Sequence, residues 1–306
     1  MSNPAPPTDS EWNILRILQW AGGYLRKRHI ESPRAAAEIL LAHALGTDRV
    51  HLYTHHDQPL EKPELAVFKT FIQRRLQGEP VAYIVGRKGF WSLDLEVTPA
   101  VLIPRPETER LVEAALDWLA ARPAGAAADV LDLGTGSGAI ALAIACETGG
   151  HRLFASDLSP EAVAVARRNA AAAGVAERVR FFVGDWLGAL RPDPVFDLIL
   201  CNPPYVATGE WARLQPEIVS YEPRLALDGD PDGLRCFRAI VAVAHRHLKP
   251  GGALMLEIGC EQRQAVHRLF EASGAYAGFV CLKDYGGRDR VVTMRKKDVA
   301  SDYKDC

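Results

Sequence analysis

Residues 129–147 read "DVLDLGTGSGAIALAIACE". An apolar run of strand length stops at Gly134, glycines alternate at 134, 136 and 138, and an unbroken Ala/Ile/Leu stretch follows. The pattern is a strand, a glycine turn and a buried helix. Glycines there let the backbone come close to a ligand at the helix N-terminus. The same alternation continues downstream. "RLFASD" reads as a strand and "SPEAVAVARRNAAAAG" as a helix; "VRFFVGD" and "FDLILCN" are strands. "DGLRCFRAIVAVAHRHL" is a helix, "GGALMLEIG" a strand and "EQRQAVHRLFEASG" a helix. "AGFVCLKD" and "DRVVTMR" are two closing strands. Seven strands interleaved with helices predict an α/β, Rossmann-like, mostly parallel sheet. The closing pair is too tightly spaced for a crossover, so one of its strands is expected to be antiparallel.

Upstream the texture differs. Residues 11 to 78 read as helices. "ELAVFKTFIQRRL" puts Leu65, Phe68, Ile72 and Leu76 on one stripe. Ser32 reads as an N-cap before Pro33, and Gly46 as the stop of that helix. "YIVGRKGFWSLDLEVTPAVLIP" is rich in β-branched and aromatic residues and reads as a short hairpin. A further helix covers "RPETERLVEAALDWLAARP". The expected organisation is a small helical bundle over 1–80, a β-hairpin linker over 81–106, the α/β domain over 107–295 and a disordered tail over 296–306. Nothing in the bundle looks catalytic, which suits a substrate-docking module.

Bulk properties exclude several classes. The chain has 306 residues and a formal net charge of -2, with 48% hydrophobic and 24% charged residues. That balance argues against a protein devoted to coating nucleic acid. No apolar run approaches the roughly 18 residues of a membrane span. The N-terminus resembles neither a signal nor a transit peptide. Six scattered cysteines form no C-x-x-C pair, so no disulfide framework or zinc module is expected, and a reducing cytoplasm fits. His51, His55 and His56 cluster but lack further ligands, so no metal is expected. The "DYKD" near the C-terminus resembles the start of a common epitope tag.

The chemistry-bearing residues fall at C-terminal strand ends, where open α/β sheets bind ligands. The turn Gly134, Thr135, Gly136, Ser137, Gly138 fits a dinucleotide fingerprint and an S-adenosylmethionine site alike. Asp157 ends the second strand of the domain, placed to hold ribose hydroxyls; alone, it reads equally as a cap of the next helix. Asp185 and Trp186 follow the third strand, an acid for an adenine amino group and an indole to stack on the base. Alone, Trp186 would read as a core tryptophan. "CNPPY", residues 201–205, ends the fourth strand. Its prolines donate no hydrogen bonds and hold Asn202 and Pro203 extended. The result is a rigid corner of one amide, several carbonyls and a ring, suited to gripping a flat NH2 group. Cys201 is expected to face the core and be inert.

Asn-Pro-Pro-Tyr after a glycine-rich turn resembles the amino-methyltransferases. "GRKGFWSLDLEVTPAVLIPRPETE", "VLDLGTGSGAIALAIA" and "SYEPRLAL", behind a helical module, narrow the resemblance to the HemK/PrmC family over residues 11 to 295. Its members are N5-glutamine methyltransferases of class 1 peptide chain release factors, acting on a Gly-Gly-Gln loop. The resemblance implies S-adenosylmethionine as cofactor, with residues 134–138 around its methionine part, Asp157 on the ribose and Trp186 on the adenine. It implies that Asn202, Pro203, Pro204 and Tyr205 grip the substrate glutamine. It puts "RPETE" at the border of the cofactor pocket with its individual roles unassigned, and leaves "SYEPRLAL" either as a shaper of the substrate channel or, equally, as an ordinary loop. A monomeric, cytoplasmic enzyme without nucleic acid or membrane partners is expected. The alternatives are an exocyclic-amine methyltransferase of RNA or DNA, a non-catalytic scaffold, and a NAD-dependent oxidoreductase in which NPPY would have no part.

Overall fold

The structure, a computed structural model, describes residues 12–123 and 125–298. By contacts these fall into two units. One holds the chain up to Gly86 together with Gln215–Tyr221; the other holds Arg87–Leu214 and the chain from Glu222 onward.

The first unit is helical: α1 (Ile14–Lys27), α2 (Pro33–Ala44), α3 (Arg49–Thr54), α4 (Lys62–Leu76) and α5 (Val81–Val85). Its core joins Ile14, Ile17 and Leu25 to Leu40, Leu41, Phe68 and Ile72. Asn13 and Asp48 cap α1 and α3 by accepting from Arg16 N and His51 N at 2.9 and 2.8 Å. Ser32 departs from its expected capping role. It sits at φ +47°, and its side chain makes no cap bond, because the left-handed backbone turns it from the helix start. Gly46 does end α2. With φ +64° it closes a Schellman turn in which Thr47 N reaches Ala42 O at 2.9 Å. Residues 81–85, read in sequence as the start of the hairpin, are helical; Pro80 opens the turn and Gly86 at φ +74° stops it.

The second unit opens with a hairpin, β1 (Arg87–Phe90) and β2 (Leu93–Glu96), followed by α6 (Glu109–Ala120). Then come β3 (Asp129–Leu133), α7 (Ala139–Glu147), β4 (Arg152–Asp157), α8 (Pro160–Ala172), β5 (Val179–Val183) and β6 (Phe196–Cys201). After the short α9 (Pro216–Tyr221), which belongs to the first unit, follow α10 (Arg235–His247), β7 (Leu248–Glu257), α11 (Arg263–Ser273), β8 (Tyr276–Lys283) and β9 (Asp289–Lys296). The seven strands order as β5-β4-β3-β6-β7-β9-β8. Six run in the same direction, and β9 inserts antiparallel between β7 and β8, as the tight closing pair requires.

Strand alternation divides the core between two faces. Val130, Leu198 and Leu200 pack with α6 and α7; Leu131, Leu133, Ile199 and Cys201 pack with α10 and α11. Both faces are covered, which explains why β3 and β6 are buried at every position. Lys296, placed in the expected tail, closes β9, and the tail from 299 on lies outside the described residues. Among the described residues no helix is long and apolar enough to cross a membrane.

Candidate active site

β3 and β6 are neighbours, with Leu133 opposite Cys201, so the glycine turn and the Asn202 corner leave the same edge of the sheet side by side. Above that edge lies a cavity of about 670 Å³. Gly134, Thr135, Gly136, Ser137, Asp157, Asp185, Trp186, Asn202 and Pro204 all line it. Residues separated by up to 70 positions thus converge as the sequence implies. Gly138, Pro203 and Tyr205 are not among its lining residues.

The glycine turn is held from below. Thr135 Oγ1 donates to Asp132 Oδ2 at 2.6 Å, and Thr135 N to Ser156 O at 2.8 Å. Asp132 is buried, and burial pushes its carboxyl up to about 7 against the Thr135 bond that lowers it. Gly136 N donates to Asp157 Oδ2 at 2.8 Å and Ser159 N to Asp157 Oδ1 at 3.0 Å. Asp157 therefore ties the turn to the start of α8, while Ser159, not Asp157, caps that helix through Ala162 N. Burial raises the Asp157 carboxyl, and three backbone N–H groups oppose the shift. Gly138 has a packing role. At φ +87°, a Cβ there would lie 3.0 Å from Leu142 Cδ1 and 3.3 Å from Ala166 Cβ, where α7 and α8 approach.

Trp186 stands at φ +47°, a left-handed backbone that a large side chain rarely adopts. Gly184 N donates to Asp157 O at 3.0 Å and Gly188 N to Asp185 O at 2.9 Å, so bonds on both sides impose the turn. Its ring reaches Gly134, where an added Cβ would meet Trp186 Cζ3 at 3.6 Å. An indole, a carboxylate from β4 and a second from the turn after β5 surround one end of the cavity. Two acids and a flat ring fit a nucleoside with its ribose diol and disfavour a phosphate. The two arginines that line the cavity are each paired with an acid, Arg105 with Glu222 and Arg235 with Asp230 at 2.9 Å.

The Asn202 corner is held by side chains from elsewhere. Asn202 Nδ2 donates to Thr108 Oγ1 at 3.1 Å. Tyr205, expected to pack on the substrate, turns its hydroxyl to Glu257 Oε1 at 3.5 Å, and its ring packs against the core of the sheet. Its carbonyl accepts from Gln262 Nε2 at 3.0 Å. Gly233 faces the same carbonyl so closely that a Cβ would come within 2.5 Å. Glu257 is 1% exposed, and burial lifts its carboxyl to about 7. Burial raises the Cys201 thiol well above its ordinary value, in line with an inert core cysteine.

The "RPETE" stretch gains roles that sequence reading left open. Arg105 pairs with buried Glu222 of "SYEPRLAL", whose second oxygen accepts from Ile103 N at 3.0 Å. Pro106 opens a short 3-10 turn, Thr108 holds Asn202, and Glu109 accepts from Trp91 N at 2.8 Å. Asn169 was also missed. Buried on α8, it donates to Ser137 O and Glu96 O at 2.8 and 3.0 Å, stapling the hairpin to the glycine turn. An asparagine within an alanine-rich helix was its only sequence signal. Among the described residues no group of three or more His, Cys, Asp or Glu could hold a metal ion.

Comparison with known proteins matches residues 16–86 to the PrmC N-terminal domain and 113–224 to the methyltransferase small domain. The release factor glutamine methyltransferase of Geobacter sulfurreducens is 45% identical over 284 residues, covering 93% of this chain and 97% of that relative. That of Cereibacter sphaeroides is 47% identical over 266 residues, covering 87% and 92%. Among solved structures, the hMettl16 catalytic domain in complex with MAT2A 3'UTR hairpin 6 superposes with a TM-score of 0.54 at 15% identity, covering 78% of this chain and 82% of that one, a likeness of fold alone. Identity at this level over nearly the whole length means that the chain belongs to the release factor glutamine methyltransferase family.

Proposed function

We propose that this chain transfers a methyl group from S-adenosylmethionine to the side-chain amide nitrogen, N5, of the glutamine in the Gly-Gly-Gln loop of a class 1 peptide chain release factor. The observation that carries the reading is the position of Asn202: its amide is anchored by Thr108 on the wall of the cavity that also holds Gly134, Asp157 and Trp186. When bound, S-adenosylmethionine supplies a methyl on a positively charged sulfur, an electrophile that needs an aligned nucleophile. Asp157 is suited to the ribose hydroxyls, Asp185 to the adenine amino group and Trp186 to the ring face.

An amide nitrogen is a poor nucleophile because its lone pair is delocalised into the carbonyl. The chain's task is therefore positioning and electrostatics. With Nδ2 engaged by Thr108, Asn202 keeps Oδ1 for one hydrogen of the substrate NH2. The Pro203 carbonyl is the proposed acceptor for the other. Two acceptors fix the nitrogen, favour its pyramidalisation and stabilise the positive charge that grows on it. The Pro203 and Pro204 rings keep the corner rigid without competing donors. The partner is met in the cytoplasm by a single copy of the chain.

Incubation with S-adenosylmethionine and a recombinant release factor, followed by mass spectrometry of its peptides, tests the reading. One methyl group on the Gly-Gly-Gln glutamine is the expected result. Methylation of bulk RNA or DNA with an unmodified release factor would overturn it.

A further inference from the structure

Asn202 can serve as an acceptor only if its amide is the right way round. An asparagine side chain presents oxygen on one side and NH2 on the other, and the two orientations fill almost the same space. The neighbour that decides between them is Thr108. The residue is buried, 4% exposed, and its hydroxyl oxygen accepts from Asn202 Nδ2 at 3.1 Å. A hydroxyl has one proton to give. Behind it stands Glu257, buried at the end of β7, and the Thr108 hydroxyl interacts with that carboxyl. One carboxyl oxygen is 3.5 Å from the Tyr205 hydroxyl; the other makes no close hydrogen bond among the described residues. The nearby guanidinium of Arg290 donates to Asp284 and to Ile258 O rather than to Glu257. The Asn202 NH2 points at the Thr108 oxygen, so Thr108 accepts from Asn202 and leaves the Asn202 Oδ1 free.

Resting on the methyltransferase reading above, the geometry points to Thr108 as a positioning residue that sets the orientation of the Asn202 amide so that Oδ1 faces the substrate NH2. Thr108 is well placed to be rigid. It closes the 3-10 turn begun at Pro106, its N–H donates to Arg105 O at 3.1 Å, and Arg105 is paired with Glu222. At the other end of the Asn-Pro-Pro-Tyr corner, the hydroxyl of Tyr205 meets buried Glu257 at 3.5 Å.

The test is a cycle of variants assayed by single-turnover methylation of an intact release factor at saturating S-adenosylmethionine. Thr108→Val keeps the shape and removes the hydroxyl. It should slow transfer about tenfold, while Thr108→Ser should return to within about threefold of the parent, as expected for one hydrogen bond lost and restored. Binding of S-adenosylhomocysteine, measured by calorimetry, should be unchanged in both. Because Thr108 acts through Asn202, adding Thr108→Val to Asn202→Ala should slow that variant by less than about twofold. Four results would overturn the positioning role: a valine variant as fast as the parent, a serine variant as slow as valine, loss of S-adenosylhomocysteine binding along with rate, or a full additional slowing in the Asn202→Ala background. A parent that leaves the release factor unmethylated would instead overturn the proposed function itself.

Discussion

The glycine turn at 134–138 and the Asn202–Tyr205 corner leave adjacent strands at the same edge of the sheet, yet they are built by different means. The turn is made by backbone. Its three glycines all have positive φ, and its supports come mainly from its own strand and the next, Asp132 and Asp157. The corner is made by side chains. Thr108, Glu257 and Gln262 reach it from 94, 52 and 57 residues away respectively. A site that must approach a cofactor closely needs unusual backbone. A site that must present one acceptor in one orientation needs fixed partners, and those can come from anywhere in the chain.

The contrast can be broken most sharply at Asn202. Asn202→Ala should cost on the order of 10²–10³ in single-turnover rate, the usual loss for one preorganised electrostatic partner. Cofactor affinity, read by calorimetry, should stay within error, since the corner and the turn have separate supports. An equal loss in both would merge the two regions into one. On the other side, Asp157→Ala should weaken S-adenosylmethionine binding by roughly 1.5–3 kcal/mol, the range for hydrogen bonds to a charged group. Tight binding of NAD by the parent would remove the basis of that prediction.

Glu257 sharpens the comparison through pH. Its carboxyl is lifted from an ordinary 4.5 to about 7 by burial. The folded state therefore holds a proton that the unfolded state has lost, and stability should fall as pH rises through this window. Between about pH 5 and 8 the parent should lose about 2 kcal/mol more than Glu257→Gln in urea melts. Asp132 has the same sign but is present in both proteins and cancels. Parallel stability curves for the two proteins would show that Glu257 is not held in that state.

The smallest effect separates two glycines of the turn. Gly136 at φ +57° has nothing within 4 Å of an added Cβ, whereas Gly138 at φ +87° would press on Leu142 and Ala166. Gly136→Ala should cost about 1–2 kcal/mol from the left-handed backbone alone. Gly138→Ala should cost measurably more in thermal melts and should spare bound-state affinity once folded.

How much was legible follows the same division. Asp129–Glu147 announced a strand, a turn and a helix because periodicity and glycine spacing are local properties. That one of the two closing strands is antiparallel could be foreseen because "YGGR" is too short for a crossover; that it is β9 came from the structure. The misreadings were places where local signals pointed one way and the surroundings another. Ser32 has the chemistry of a cap but a backbone at φ +47°. Val81–Val85 is β-branched yet forms a helical turn between Pro80 and Gly86.

By itself the sequence determined the α/β alternation, the strand ends that carry Gly134, Asp157, Trp186 and Asn202, and the family resemblance. Each of these is written within a few residues of the chain. Only the tertiary structure decided which side chains hold Asn202, why Glu222 matters to Arg105, and that Gly138 packs helices rather than lining the cavity. Thr108 and Glu222 lie in stretches that carry the family resemblance, but their roles, like that of Glu257, have no local signature, because a buried hydroxyl or carboxyl is indistinguishable in sequence from an exposed one. Their roles arise when the sheet brings distant strand ends together and burial makes every remaining hydrogen bond count.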